Sequence, residues 1–271
     1  MRLSATDVWR ATRTSEGPAC LHLQLENGQL RVEAWGEGAQ WAAGAAGDLV
    51  GESDRPELLR PRHPLVAELQ RRLPGVRLPR SRGVFEALVP VIVEQKVIGV
   101  EARRSYQAIV RNFGEPAPGP ARLLLPPSPA VLGAQPYWEF HPFGIERRRA
   151  ETLIRVARAA HRLEEAVGMP APAAQARLRA VAGVGPWSAG HVGLTALGDP
   201  DAVPVGDYHL PHIVAWALAG EPRGTDDRML ELLAPYEGQR GRVLWLLLAG
   251  GVGAAPRRAP RLPLRNLAKE T

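Results

Sequence analysis

The spacing of apolar residues changes character once along the chain, and that single change limits its architecture more than any other feature. Three short segments before residue 36 read as strands: DVWRATRT (7–14), ACLHLQLE (19–26) and QLRVEAW (29–35). The middle one alternates cleanly between apolar and polar residues, the period of a half-buried strand. Asn27-Gly28 separates the last two and suits a tight hairpin, since both residue types tolerate positive φ. From Gly83 onward the spacing becomes helical. GVFEALVPVIVEQ is apolar around most of its circumference, as a buried helix is, and VEARRSYQAIVRNF keeps a polar face. Further helices are expected over 146–167, 172–180, 186–197, 208–219, 225–234 and 240–249, with shorter ones over 38–50 and 64–73. Six prolines within 115–129 cannot continue a helix and mark a loop. The expected fold class is α+β: a small N-terminal antiparallel β-sheet (1–80), a mostly α-helical body (81–255) and an Arg/Pro-rich tail (256–271).

Composition narrows the classes of function. The 271 residues are 45% hydrophobic and 23% charged, which supports a sizeable core. Cys20 is the single cysteine, so disulfides and cysteine-ligated metal or iron–sulfur sites are excluded. No apolar run reaches the ~18 residues of a membrane span. The start, MRLSATDVWRATRT, lacks the apolar centre of a secretory signal. The expected location is therefore cytoplasmic. The net charge is +6, and the tail, with five bases and one acid, carries +4 of it. A basic, Arg-rich chain suits a polyanion, because Arg neutralises phosphates and releases counterions. Lysine is scarce: only Lys96 and Lys269.

The stretch VAGVGPWSAGHV (181–192) lies between two helical segments. Gly183-Val184-Gly185 makes a very short connection, and glycine allows both positive φ and a close backbone approach. Pro186 is well tolerated in a first helical turn, and the free N–H groups of a helix start favour an anion. Such a unit can grip one DNA phosphate with backbone alone, or it can simply be a tight helix–helix turn. Asp207 follows Gly185 by 22 residues, with Pro204 and Gly206 before it and a helix after it. Taken alone it reads equally as a helix N-cap.

The longer pattern of Leu178, Val181, Gly183, Val184, Gly185 and Ser188-Ala189, with Asp207 at this distance, resembles the helix-hairpin-helix DNA glycosylases that carry a Gly/Pro-rich loop and a following Asp. PGVRLPR (74–80), ALVPVIVEQKV (87–97) and GIERRRAETLIRVA (144–157) resemble the bacterial 3-methyladenine DNA glycosylase II branch, as does a small N-terminal sheet. The resemblance covers most of residues 7–250.

The resemblance implies an enzyme of base excision repair that flips a damaged base out of duplex DNA and breaks its glycosidic bond. Asp207 would stabilise the oxocarbenium-like sugar and orient or deprotonate the attacking water. Val181, Gly183, Val184, Gly185 and Ser188 would hold the DNA backbone. The carbonyls of Val181 and Val184 would offer a place for a monovalent cation, Na+ or K+. No other cofactor and no catalytic metal is implied. Relatives that also cleave the strand have Lys where this chain has Trp187, and they form a Schiff base through it. Trp187 lacks that amine, so a monofunctional enzyme acting on alkylated purines is expected. Trp187 would stack on the cationic base, with Tyr137 and Trp138 as further pocket residues. Lys96, beside Gln95, occupies the position of a side chain that fills the gap left in the duplex; a cation there departs from the apolar wedge of some relatives. Trp216 and Trp245 are expected in the core, and Leu248 stands where nearer relatives place a second aromatic. The expected partner is damaged duplex DNA, bound by a monomer. The rivals are a glycosylase for oxidised bases and a non-catalytic protein that binds damaged DNA.

Overall fold

The computed structural model describes residues 1–4 and 6–255; the basic tail lies outside the described residues. Strands β1 (Arg2–Leu3), β2 (Asp7–Thr14), β3 (Gly17–Glu26) and β4 (Gln29–Trp35) form one antiparallel sheet in sequence order. Glu26 pairs with Gln29 around Asn27 (φ 50°) and Gly28 (φ 78°), the double positive-φ turn that Asn-Gly favours. Strand β3 begins two residues before the expected start, because Gly17 (φ 120°) pairs with Thr14 and lets the chain reverse within Ser15-Glu16.

One face of the sheet buries Ala19 and Leu21 against Ala42 of α1 (Ala39–Gly44), which is followed by α2 (Ala46–Leu49). On the same face Arg10 and Thr12 reach Glu86 at 2.6 and 2.5 Å, fastening the sheet to the helical body. The other face stacks Trp9 on His22 (centroids 3.9 Å apart) and on Trp35 (5.5 Å). The proline loop packs on this assembly: Arg13 and Arg2 donate to the carbonyls of Pro126 and Ala121, each at 2.7 Å.

The body contains α3 (Pro64–Arg72), α4 (Val84–Glu94), α5 (Gly99–Phe113), α6 (Pro129–Ala134), α7 (Arg147–Arg158), α8 (Ala160–Glu164), α9 (Ala171–Arg179), α10 (Pro186–Val192), α11 (Leu210–Ala219), α12 (Asp226–Leu233) and α13 (Arg240–Ala249). None of the described helices is long and apolar enough to cross a membrane. The expected helix over 146–167 is broken at Ala159, where no glycine or proline announces a break. The helix expected over 186–197 passes into a π-turn at Gly193–Leu197. A Cβ on Gly193 would lie 2.7 Å from that of Ala202, so the glycine admits the following loop against the helix.

Two apolar cores share the body. One joins α4, α7, α9 and α10 through residues such as Leu88, Ile92, Leu153, Leu178 and Val192. The other joins Leu59, Val66 and Leu69 to Val214, Met229, Leu233 and Leu247. Packing thus runs across residue 80, and α3 sits with the C-terminal helices. A buried pair strengthens that union: Arg242 Nη1 lies 3.0 Å from Asp54 Oδ2, and the same oxygen accepts Leu78 N–H at 3.0 Å.

The sheet carries a pH-sensitive contact. His22 Nε2 is 2.6 Å from Asp7 Oδ1, and its Nδ1 is 3.1 Å from Glu33 Oε2. Burial disfavours the imidazolium, but the two carboxylates outweigh it and raise the pKa above the ordinary 6.5. A raised folded-state pKa contributes stability that is complete below the unfolded value and is lost as pH rises through the folded one. The denaturation midpoint of the wild type should therefore fall more steeply than that of His22→Gln as pH rises from 6.5. Parallel pH profiles in urea denaturation would refute this.

Candidate active site

The hairpin between α9 and α10 has two glycines with different physical duties. Gly183 has φ 100°, and a Cβ there would fall 2.2 Å from Thr152 Oγ1. Conformation and space both demand glycine. Gly185 has extended backbone (φ −95°, ψ −176°) and nothing within 4 Å of an added Cβ. The fold does not require glycine there; its absence of side chain leaves the N-terminus of α10 uncovered. The N–H groups of Gly183, Gly185, Trp187 and Ser188 donate to no acceptor among the described residues, as expected where a helix begins.

The hairpin is braced from behind. Gln95, at the end of α4, donates its amide to the Gly183 carbonyl (3.0 Å) and to Ser188 Oγ (2.9 Å). Arg149 of α7 secures that end of α4, donating to the carbonyl of Val93 at 2.6 Å. Arg155 donates to the Ala182 carbonyl at 2.9 Å and leaves its guanidinium partly exposed at the hairpin edge. Gln95 and Ser188, both expected to face DNA, thus spend their side chains within the protein; Ser188 is buried, and only its N–H is free. Val184 is likewise a core side chain, and Val181 packs partly against the same core. Lys96 is exposed in a left-handed conformation (φ 59°) at the turn from α4 to α5. Ile98 and Val100, 66% and 54% exposed, stand beside it, so this tip is apolar as well as cationic.

Asp207 and Trp187 meet. Trp187 Nε1 donates to Asp207 Oδ2 at 2.8 Å. Asp207 Oδ1 accepts the N–H groups of His209 (2.7 Å) and Leu210 (2.9 Å), capping α11. The carboxylate therefore serves as a helix cap through one oxygen and faces the hairpin helix through the other. Gly206 (φ 94°) makes the turn that brings it there. His191, one turn after Trp187 on the same helix face, packs edge-on against the indole (4.7 Å between centroids). Its Nε2 lies 3.8 Å from Asp207 Oδ2. Burial alone would push the Asp207 carboxyl up; the His191 imidazole, the Trp187 indole and the two backbone N–H groups outweigh burial and hold it well below the usual carboxylate range.

Trp187, expected to stack on the base, has its polar edge committed to Asp207. Tyr137 and Trp138 pack edge-on with each other, and Arg147 covers the Tyr137 ring at 4.7 Å. Their segment, Tyr137–Phe143, rests on α5 and α7, and no aromatic contact among the described residues joins it to Trp187. Trp216 departs from the core position expected of it: it is 39% exposed, since it follows His212 on the outer face of α11. Trp245 does pack, against Leu78, Leu194 and Ala202, and Leu248 is exposed. His212 Nδ1 accepts Gly224 N–H at 3.2 Å, and no three His, Cys, Asp or Glu side chains converge as a metal site among the described residues. Two residues of the site were not singled out from sequence: His191, signalled only by its spacing from Trp187, and Tyr208, 68% exposed beside Asp207.

Comparison with known proteins follows this geometry. No family model matches the chain. It is 26% identical over 180 residues, 64% of its length, to a DNA-3-methyladenine glycosylase of Bacillus subtilis, and spans 59% of that relative. Its fold is similar to that of a 3-methyladenine DNA-glycosylase from Archaeoglobus fulgidus, with a TM-score of 0.74, 21% identity, and coverage of 91% of this chain and 88% of the other. An 8-oxoguanine glycosylase/lyase of Clostridium acetobutylicum shares it at a TM-score of 0.65 and 15% identity, over 89% and 87% of the two chains. These homologues and neighbours bear out the resemblance drawn from the hairpin and Asp207, and the helical body with its four-stranded sheet is the fold of these glycosylases.

Two consequences can be measured on the free protein. Gly183→Ala should lower stability by about 1–3 kcal/mol, from the positive φ and the clash with Thr152, whereas Gly185→Ala should stay within about 1 kcal/mol of wild type. Equal losses in urea denaturation would contradict the division of duties. Trp187→Phe removes one donor from Asp207 and should raise its carboxyl pKa, read by carboxyl 13C titration; an unmoved titration would show that the indole N–H does not hold the carboxylate.

Proposed function

We propose that the chain is a monofunctional DNA glycosylase of base excision repair, which flips alkylated purines of the 3-methyladenine and 7-methylguanine type out of duplex DNA and hydrolyses their glycosidic bond, leaving an abasic site. The observation that carries this reading is the meeting of Asp207 with the helix whose uncovered N–H groups follow the Gly-Val-Gly hairpin. A phosphate held on those N–H groups gains from the helix dipole and anchors the strand beside the carboxylate. The homology to a 3-methyladenine glycosylase supports the same chemistry and lesion class.

Alkylation makes the purine a cation, so it departs neutral once the C1′–N bond electrons leave with it. The demand on the protein is then stabilisation of a sugar cation. A half-buried carboxylate that stays ionised far below neutral pH meets it, since a fixed charge in a water-poor site acts without reorganisation. Trp187 replaces the amine that a Schiff-base mechanism needs. The face of its indole remains available to a cationic base, an attraction of about 0.5–2 kcal/mol. Lys96 with Ile98 and Val100 would enter the space vacated in the duplex, next to the hairpin that Gln95 ties to them. Tyr137 and Trp138 are further candidates for base contact.

A monovalent cation on the hairpin belongs to the same proposal. The Val184 carbonyl accepts no hydrogen bond among the described residues, and that of Val181 accepts one, from Val184 N–H at 3.0 Å. Neutral carbonyl oxygens suit Na+ or K+, whose charge would add to the attraction for phosphate. We place the protein in the cytoplasm, acting as a monomer on DNA.

A second reading keeps the fold and changes the lesion to an oxidised purine, as the likeness to an 8-oxoguanine glycosylase/lyase allows. The two separate when a methylated duplex and a duplex containing 8-oxoguanine are assayed side by side. Wild type should release 3-methyladenine and 7-methylguanine from methylated duplex DNA, with strand breaks only after alkali. Asp207→Asn should bind the duplex and release at least 100-fold less, within the range of losses for an electrostatic catalytic group. Release of 8-oxoguanine alone would establish the second reading, and binding without release of any base would make the protein a damage-binding module.

A further inference from the structure

The helix that follows the exposed tip carries charge that the fold does not use. With about 100° of turn per residue, Val100, Arg103, Arg104, Gln107 and Arg111 of α5 share an arc of roughly 100°. Each of them is exposed, and the opposite side of the helix holds the buried Ala102, Ser105 and Ile109. Arg103, Arg104 and Arg111 make no ion pair among the described residues.

The contrast with α7 is chemical. There Arg147 and Arg155 stand four residues to either side of Glu151, and both pair with it. On α5 the same spacing sets Gln107 against Arg103 and Ala108 against Arg104, so no acid compensates them. Glu101, the acid of α5, is exposed on the flank and pairs with none of the three. The helix thus has a formal charge of +2 from three arginines and one glutamate, the same +2 that residues 1–255 carry as a whole. Like charges gathered on one exposed face repel each other, and a polyanion relieves that repulsion.

The position of the face identifies the polyanion. Val100 belongs both to this face and to the tip that begins at Lys96. Along the helix axis Arg103 and Arg104 lie about 4–6 Å beyond Val100, and Arg111 about 16 Å beyond it, close to half of the ~34 Å helical turn of B-DNA. Gln95, which ends α4 just before the tip, donates to the Gly183 carbonyl at 3.0 Å. The hairpin and the arginine face are therefore attached to one junction of the chain. None of the three arginines is an ion-pair partner of Asp207, so their charge is free to meet phosphate without drawing on the carboxylate.

We propose that this outer face of α5 is a second DNA-binding surface, on which Arg103, Arg104 and Arg111 hold duplex phosphates beside the tip while the hairpin holds the strand next to Asp207. This rests on the reading of the chain as a protein that binds damaged duplex DNA. The planar guanidinium presents paired donors to phosphate oxygens, and such contacts add affinity without reading sequence. Each phosphate neutralised releases counterions, so the signature of the surface is its salt dependence.

The test is affinity for a duplex carrying one abasic site, read by fluorescence anisotropy from about 50 to 200 mM salt. One triple variant, Arg103→Gln, Arg104→Gln and Arg111→Gln, removes the charge and keeps good helix formers. A second, with Lys at the same three positions, keeps the charge. A control triple, Arg60→Gln, Arg62→Gln and Arg71→Gln, removes as much charge from exposed positions in and before α3, which packs in the other core. The α5 Gln triple should bind at least tenfold more weakly at about 100 mM salt, with a slope of log K against log salt flatter by about 2–3. The Lys triple should keep the wild-type slope, and the control triple should bind within threefold of wild type. A wild-type slope in the α5 Gln triple, or an equal loss in the control triple, would overturn the surface while leaving the hairpin reading intact. A wild type that binds no duplex would overturn both.

Discussion

The hydrogen bond from Trp187 Nε1 to Asp207 Oδ2 joins the helix after the hairpin to the segment that follows a loop already packed on that helix at Gly190 and Gly193. Asp207 ends a loop, and loops carry the greatest freedom of position. Three contacts remove that freedom: the indole at one oxygen, and the first N–H groups of α11 at the other. The helix cap and the candidate catalytic group are the same side chain. The donors that position it also keep it ionised despite its burial, so one arrangement provides both placement and charge.

The same economy governs the hairpin. Gly183 is shaped by Thr152 behind it, Gln95 fills its carbonyl, and Ser188 receives the other hydrogen bond of that amide. The carbonyls of Gly183 and Ala182 are thus satisfied from α4 and α7, while the N–H groups of Gly183, Gly185, Trp187 and Ser188 are left open. A ligand with several negative oxygens can satisfy them together, which water does only transiently. Because α4 ends at Gln95, the exposed Lys96–Val100 tip is fixed relative to the hairpin through one side chain.

Much of this was legible in the residues. The Asn27-Gly28 turn, the buried α4 and the breaks at the proline loop follow from local chemistry, and the spacing from the hairpin to Asp207 identified both halves of the site. What escaped is tertiary. The π-turn after Val192 depends on a loop pressing against Gly193, and the break at Ala159 has no local marker. Gln95 and Ser188 enter as DNA-binding candidates through the resemblance; the packing of α4 on the hairpin shows them facing each other. His191 carries no sequence pattern of its own, because its neighbour Asp207 is known only from the fold.

Under the proposed function, charge distribution explains why backbone donors would carry the grip on DNA. Of the formal +6, the tail contributes +4, leaving +2 for residues 1–255. Many arginines of the body are paired, among them Arg10, Arg149, Arg177, Arg228, Arg240 and Arg242. A site that must hold an ionised carboxylate beside a polyanion faces repulsion that a nearly neutral body does little to offset over long range. Short-range donors resolve the conflict. Helix-terminal N–H groups act within one turn, and they favour phosphate without neutralising Asp207, as a neighbouring lysine would. The Trp at position 187 fits the same logic: it hands Asp207 a hydrogen bond without a charge, so in the proposed reaction the carboxylate would keep its full attraction for the sugar cation.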